Sequence, residues 1–325
     1  MIILLKIQLY ARNSLMLTKC ENAHDKHLVA LDLGSNSFHI VIVRENANGM
    51  QVIHKQKQST KLAAGLDKNN NLSKEAISIG INCLKSFSHS FSTLNNCHVG
   101  IVATYALRQA NNSNEFLRQA AKVLPYPIEI ISGKREAELI FSGVAHNLVI
   151  EQPTLIIDIG GGSTEFVIGE SLTPQLTNST DMGCVSFTQA FFPSGEISSQ
   201  AMNSAKEQAK QTLKAISKPY NDMGWQHTLG TSGSMKAIAL AMNEIFGDRE
   251  VTTQRLNILQ ALLIEWGHKD KILLQKLSDK RRPLLAAAVA ILSVCFEVLN
   301  IESLNYNSSG VREGLLYQLK SKANA

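Results

Sequence analysis

The five cysteines of this 325-residue chain (Cys20, Cys83, Cys97, Cys184 and Cys295) are scattered and odd in number, with no C-x-x-C pair. That argues against a zinc site and a disulfide framework, and for reduced thiols in the cytoplasm. No uninterrupted apolar stretch has membrane-spanning length. Leu284 to Leu299 comes nearest, but it holds Ser293 and Glu297 and reads as a buried helix. Stable membrane insertion is therefore not expected. At the N-terminus the apolar run Ile2 to Leu5 is broken by Lys6 and Gln8, and no small-residue cleavage site follows. Residues 1–27 read as a poorly ordered or loosely docked extension, with Met16 as an alternative start. The net charge is +5, and no basic stripe interleaved with aromatics appears, so a nucleic-acid polymer is not an expected partner. Two nucleotide-binding loops are also missing. There is no G-x-x-x-x-G-K-[ST], which excludes a P-loop, and no strand leads into G-x-G-x-x-G and a helix, which weakens a dinucleotide reading.

What is present is a chain 44% hydrophobic, enough for one or two real cores. It is organised around Thr154 to Gly169, T-L-I-I-D-I-G-G-G-S-T-E-F-V-I-G. Two apolar runs flank a glycine-rich tip, which predicts a β-hairpin. Three consecutive glycines leave no Cβ to keep a ligand from the backbone, and successive amides in such a turn can form an anion nest. Ser163 and Thr164 add hydroxyl donors, and Asp158 and Glu165 could hold a divalent cation. Taken alone, the stretch equally fits a tight hairpin that needs glycine for geometry.

A second copy tips the balance. Ala30 to Ile42 reads A-L-D-L-G-S-N-S-F-H-I-V-I, and it aligns Asp32 with Asp158, Gly34 with Gly160 and Ser37 with Ser163. Such a repeat implies two related lobes, each offering a hairpin tip. If the tips face each other, a phosphate chain would lie between them.

Around these hairpins the pattern predicts an α/β fold. A third strand is expected near Gln51 to Lys57, then a helix capped by Ser73, a strand His98 to Ala103, and a helix ending before Pro125. Ser132-Gly133 should turn a short β run into a helix from Lys134 to Ala145. In the second half, helices are expected over Val185 to Phe192 and over Ser198 to Ile216, the latter ending before Pro219. A strand Trp225 to Leu229 should lead through the loop Gly230 to Ser234 into a helix whose N-terminus favours phosphate. Leu304 to Tyr306 reads as a late strand and Val311 onward as a last helix.

Together, D-L-G-S-N-S-F-H (Asp32 to His39), I-I-S-G-x-x-E-A (Ile130 to Ala137), D-I-G-G-G-S-T-E (Asp158 to Glu165), M-G-C-V-S-F (Met182 to Phe187), G-x-S-G (Gly230 to Gly233) and G-V-R-E-G (Gly310 to Gly314) resemble the exopolyphosphatase and guanosine pentaphosphate phosphatase family. The resemblance is collinear from about Leu28 to Lys320. It implies a duplicated fold of the actin, Hsp70 and sugar-kinase type, with two lobes around a central cleft. The lobes are expected at 28–135 and 136–310, with a C-terminal helix at about 311–325 that packs back on the first. It further implies Mg²⁺-dependent hydrolysis of a terminal phosphoanhydride in a cytoplasmic enzyme. Inorganic polyphosphate is the leading substrate and guanosine pentaphosphate the alternative, with a non-catalytic sensor as a third reading and a homodimer left open.

The resemblance also distributes roles. Glu136, by spacing alone a helix first-turn acid, becomes the general base that deprotonates the attacking water. Asp158, Glu165 and Asp32 become Mg²⁺ ligands, with Glu165 also helping to orient the water. Ser35, Asn36 and Ser37 on one tip, and Gly161, Gly162, Ser163 and Thr164 on the other, would cradle phosphates. Thr231, Ser232 and Gly233 would hold the next group, and Arg108 would grip phosphate as a fork. His39 reads as a packed core residue, Lys280-Arg281-Arg282 as a solvated helix face, and Arg312-Glu313 as a local pair outside the chemistry. Two features depart from the family. Many members have two acids where this chain has Arg135-Glu136. Longer members add a helical region after the lobes, so here the cleft alone is expected to grip substrate.

Overall fold

The computed structural model describes residues 26–46 and 49–323. The expectations for residues 1–25, Met16 included, lie outside the described residues. Lys26 and His27 do not belong to an extension. They open the first strand, where Lys26 pairs with Glu45 across the ladder and the His27 amide donates to Asn96 O at 3.0 Å.

The first half contains β1 (Lys26–Leu33), β2 (Ser37–Asn46), β3 (Gly49–Ser59), α1 (Lys74–His89), β4 (Cys97–Ala103), α2 (Tyr105–Gln109), α3 (Ser113–Ala120) and β5 (Glu129–Ile130). Helix α4 (Gly133–Ala145) leads to the second half: β6 (Thr154–Ile159), β7 (Thr164–Glu170), β8 (Thr173–Thr180), α5 (Cys184–Phe191), α6 (Ser199–Met223) and β9 (His227–Thr231). Then come α7 (Ser232–Phe246), β10 (Val251–Thr252), α8 (Thr253–Trp266), α9 (Arg282–Leu299), β11 (Ser303–Tyr306) and α10 (Val311–Ala323).

The strands form two sheets, β3-β2-β1-β4-β5 and β10-β11-β9-β6-β7-β8. In each, a three-strand antiparallel meander leads (β1-β2-β3, β6-β7-β8). The meander's first strand then pairs in parallel with a later one (β4, β9). A further parallel strand, β5 or β11, follows on that side. The hairpin repeat seen in the sequence is thus a repeat of the whole sheet. The fold is α/β and duplicated, with one such sheet in each of two lobes. Separate cores fill the lobes, one around Phe38, Phe87 and Phe116, the other around Phe166, Tyr220 and the apolar helix α9. Among the described residues α9 alone is long and apolar enough to cross a membrane, and it is mostly buried inside the second lobe. Helix α10 returns to the first lobe, where Leu315 and Leu316 pack with Leu28, Ala30 and Val102.

Several local signals act as their chemistry dictates. Ser73 and Ser132 cap α1 and α4, accepting from the amides of Ala76 and Arg135 at 3.1 Å each. Other expectations fail. Helix α6 runs through Pro219 to Met223. Tyr220, directly after the proline, is fully buried and donates to Phe166 O at 2.8 Å, so tertiary packing holds the last turn together. Strand β9 lies two residues later than expected, because its ladder with β6 matches Thr154 with His227 and Asp158 with Thr231.

Candidate functional site

Both hairpin tips are built alike. In β1–β2 Asp32 faces His39 across the ladder, and in β6–β7 Asp158 faces Glu165. A Cβ on Gly34 would stand 3.0 Å from Ser37 O, and one on Gly160 3.0 Å from Ser163 O. Each tip has its carbonyls occupied from outside. Amides of Thr60, Lys61 and Ala63 donate to Asn36 O and Ser35 O, and the first amides of α5 donate to Gly160 O and Gly161 O. The tip amides are left as the groups suited to an anion.

The tips meet. A Cβ on Gly161 would lie 2.8 Å from Ser35 Cβ, and one on Gly162 would overlap the Tyr105 ring of α2. The glycines therefore serve the approach of the two lobes as well as ligand access. Between the tips lies a cleft of about 430 Å³. Of the residues expected to cradle phosphate, Ser35, Asn36, Ser37, Gly161, Ser163, Ser232 and Gly233 line it. Gly162, Thr164, Thr231 and Arg108 stand behind it. Thr164 is fully buried and donates to Met182 O, while Thr231 Oγ1 donates to Asp158 Oδ2 at 2.6 Å. Ser232 adopts φ +87°, a strained conformation costing about 1–3 kcal/mol, and anchors its hydroxyl on Ile159 O at 2.9 Å.

Asp32, Glu136 and Asp158 line the cleft as carboxylates. Glu136 sits in the first turn of α4, where Arg108 Nη1 donates to Oε2 at 3.1 Å while also donating to Ile131 O at 3.0 Å. Burial, then the charge of Glu165, pushes the Glu136 carboxyl well above the ordinary range, and Arg108 opposes the shift. Burial also raises Asp158 to about 6. Glu165 is 1% exposed and does not line the cleft. Its Oε1 accepts from Ser179 Oγ at 2.8 Å, while its Oε2 is buried without a partner among the described residues. Burial and the charge of Asp158 raise it to about 8.

These groups bear on the expected Mg²⁺. Among the described residues no three His, Cys, Asp or Glu side chains converge as a ready-made metal cage. The expected ligands are hard carboxylate oxygens: Asp32 and Asp158 face the cleft, as Glu136 also does, and Glu165 carries an orphaned buried oxygen. That set suits a cation that keeps most of its water shell, as Mg²⁺ does.

The sequence reading missed the cations. Lys55 and Lys57 from β3, Lys236 from α7, Arg281 at the start of α9 and Arg312 from α10 all line the cleft. Burial and the charges of Arg281, Arg312 and Lys236 lower Lys57 to about 8. Arg281 is not on a solvated face. It packs so closely on Gly233 that a Cβ there would overlap its guanidinium. Arg312 does pair locally, with Glu313 at 3.6 Å, but it also faces the cleft. His39 is not a core residue; it lines the cleft with Nδ1 3.3 Å from Asp32 Oδ2. No sequence signal marks these residues as a group, since they come from separate elements. Arg135 points away from the cleft, bonding Glu138 and Gln318. A larger cavity, about 880 Å³, opens around Thr154 and His227 at the opposite ends of β6 and β9. It holds none of the loop motifs, so the smaller cleft is the better candidate.

Comparison with known proteins points the same way. The model of the Ppx/GppA phosphatase family matches residues 41–323. A Haemophilus influenzae protein provisionally named an exopolyphosphatase is 40% identical over 296 residues, 91% of this chain and 92% of that one. A guanosine-5'-triphosphate,3'-diphosphate pyrophosphatase of Aeromonas salmonicida is 40% identical over 290 residues, 89% of this chain but 58% of that one. The chain thus spans little more than half of the second relative. Among solved structures, an exopolyphosphatase from Cytophaga hutchinsonii superposes with a TM-score of 0.82 at 21% identity, covering 91% of this chain and 98% of that one. The Aquifex aeolicus Ppx/GppA protein gives 0.76 at 21% identity, over 93% and 99%. At such identities these structures establish the fold.

Proposed function

Because this chain belongs to the Ppx/GppA phosphatase family, we propose that it hydrolyses the terminal phosphoanhydride of inorganic polyphosphate and releases orthophosphate. The observation that carries the reading is a buried carboxylate, Glu136, held by Arg108 at the edge of a cleft lined by five cations and two anion-binding tips. Polyphosphate is a dense polyanion, and its hydrolysis demands positioning and charge neutralisation more than covalent chemistry.

In this mechanism the terminal phosphate lies between the tips, against the amides near Ser35 and Gly161 and the hydroxyl of Ser163. Glu136 accepts a proton from a water as that water attacks the terminal phosphorus. The bond to the bridging oxygen breaks, and the shortened chain leaves with the negative charge. A carboxyl raised toward neutrality is a stronger base than an ordinary one, and Arg108 opposes the rise, favouring the ionised form that accepts the proton. Asp158 and Asp32 are the residues to hold Mg²⁺, which when bound neutralises charge on the phosphate oxygens. Glu165 stands behind Asp158 as support.

Guanosine pentaphosphate is the second reading, favoured by relatives such as that from Aeromonas salmonicida whose name specifies a guanosine substrate. Phosphate release from polyphosphate, guanosine pentaphosphate and ATP, each with Mg²⁺ and with EDTA, tests both. Release from polyphosphate that EDTA abolishes supports the proposal. Release from guanosine pentaphosphate alone overturns the polyphosphate assignment, and activity untouched by EDTA overturns the metal role.

A further inference from the structure

The motif G-V-R-E-G contributes Arg312 to the cleft, but its last glycine lies elsewhere. Gly314 sits on α10 against the backbone of α4. A Cβ there would stand 2.7 Å from the Leu139 carbonyl carbon and 3.1 Å from Leu139 Cα, and closer still to the carbonyl oxygen. One turn along α4, a Cβ on Gly143 would lie 2.8 Å from Gly314 N and would overlap Gly310 O. One turn the other way, Arg135 Nη2 donates to Gln318 Oε1 at 2.5 Å. The contacts pair 135 with 318, 139 with 314 and 143 with 310. Steps of four on both helices, running in opposite directions, describe an antiparallel seam along one face of each. The seam is locked further on by Tyr317, whose ring stacks on His146 at 4.0 Å.

Glu136 lies between two residues of that seam, Arg135 and Leu139. Helix α10 is in turn fixed to the first sheet through Leu315 and Leu316, which pack on Leu28, Ala30 and Val102. Strand β4 of that sheet leads directly into α2, which carries Arg108. The position of Glu136 relative to Arg108 is therefore set at two places, at the head of α4 by the Arg108 bond to Ile131 O, and along α4 through α10, whose closest approach is the backbone contact of Gly314 with Leu139. We infer that Gly314 is a positioning residue for Glu136, holding α4 at the depth that places the carboxylate between Arg108 and the cleft. The inference rests on the proposed role of Glu136 as base.

An alanine at 314 meets main-chain atoms that cannot rotate away, so the helices must part. Displacement of a reacting group by about 1 Å can cost roughly 10²-fold in rate. The test measures kcat, KM and the pH dependence of kcat for Gly314→Ala, with Glu136→Gln and Leu263→Ala alongside. Leu263 is fully buried in α8, far from the seam, and serves as a destabilised control. The inference expects Gly314→Ala to lose about 10²-fold in kcat per folded molecule. KM should stay within a few-fold, the acid limb of the pH profile should move, and Leu263→Ala should keep both. An unchanged kcat and pH profile in Gly314→Ala overturns the inference while leaving Glu136 as base intact. Equal losses in Leu263→Ala overturn it too, since general destabilisation would then explain the effect. If Glu136→Gln retains turnover, the base assignment itself fails and the inference falls with it. Should Gly314→Ala not fold, Gln318→Ala removes only the side-chain contact to Arg135. A several-fold lower kcat with the same pH shift then supports the inference, and unchanged kinetics overturn it.

Discussion

Arg108 and Glu136 form an ion pair across the chain, Nη1 to Oε2 at 3.1 Å, with both side chains largely shielded from solvent. The same guanidinium nitrogen also bonds Ile131 O, just before the helix that carries Glu136. The arginine expected to grip phosphate also holds the carboxylate expected to act on water.

Removing that cation leaves Glu136 buried beside Glu165 with its main counter-charge gone. Arg108→Ala should therefore raise the Glu136 carboxyl further, and the acid limb of the pH–rate profile should move to higher pH. Activity lost at neutral pH should be partly recovered in alkaline buffer. A profile of unchanged shape and position, merely lower, would show that Arg108 acts on substrate instead.

The duplicated hairpin was legible because Asp-x-Gly-x-x-Ser followed by an apolar strand is a spacing that survives in both halves. Capping by Ser73 was legible for the same reason, being local, whereas Ser132 read only as part of the turn into α4. Strand β8 was not, since Thr-Pro-Gln-Leu-Thr-Asn-Ser-Thr is polar and its residues are only partly covered. It exists because β7 supplies a ladder for it. Nor could spacing show that Thr164 and Thr231 spend their hydroxyls behind the cleft, which depends on Met182 and on the register of β9. The cleft cations were the larger omission. Lys57, Lys236, Arg281 and Arg312 lie on four elements that only the closed fold brings together.

Those cations set the second prediction. Arg281→Ala should raise KM for polyphosphate by roughly tenfold or more, the range for a charge-assisted hydrogen bond, with a smaller change in kcat. Its KM should also rise less steeply with salt than that of the wild type, because fewer charge contacts remain to be screened. Equal KM and equal salt dependence would remove Arg281 from substrate binding.

Glu165 makes a prediction about stability. Its carboxyl titrates near 4.5 when exposed and near 8 in the fold, so between those values the folded state holds a proton that the unfolded state has released. Without divalent cation, stability should therefore fall as pH rises from about 4.5 to about 8, by up to about 1.4 kcal/mol per pH unit. Glu165→Gln should flatten that decline. Denaturant midpoints of both proteins across this range check it, and parallel declines would contradict the assignment.

The most direct measurement compares orthophosphate release from polyphosphate by the wild type and Glu136→Gln at saturating substrate with Mg²⁺ present. Polyphosphate binding by both is measured in parallel. The account predicts that the variant folds and binds polyphosphate with little change but turns over 10²–10⁴-fold more slowly, the usual contribution of a general base. A variant that binds equally well and releases phosphate at close to the wild-type rate would contradict it.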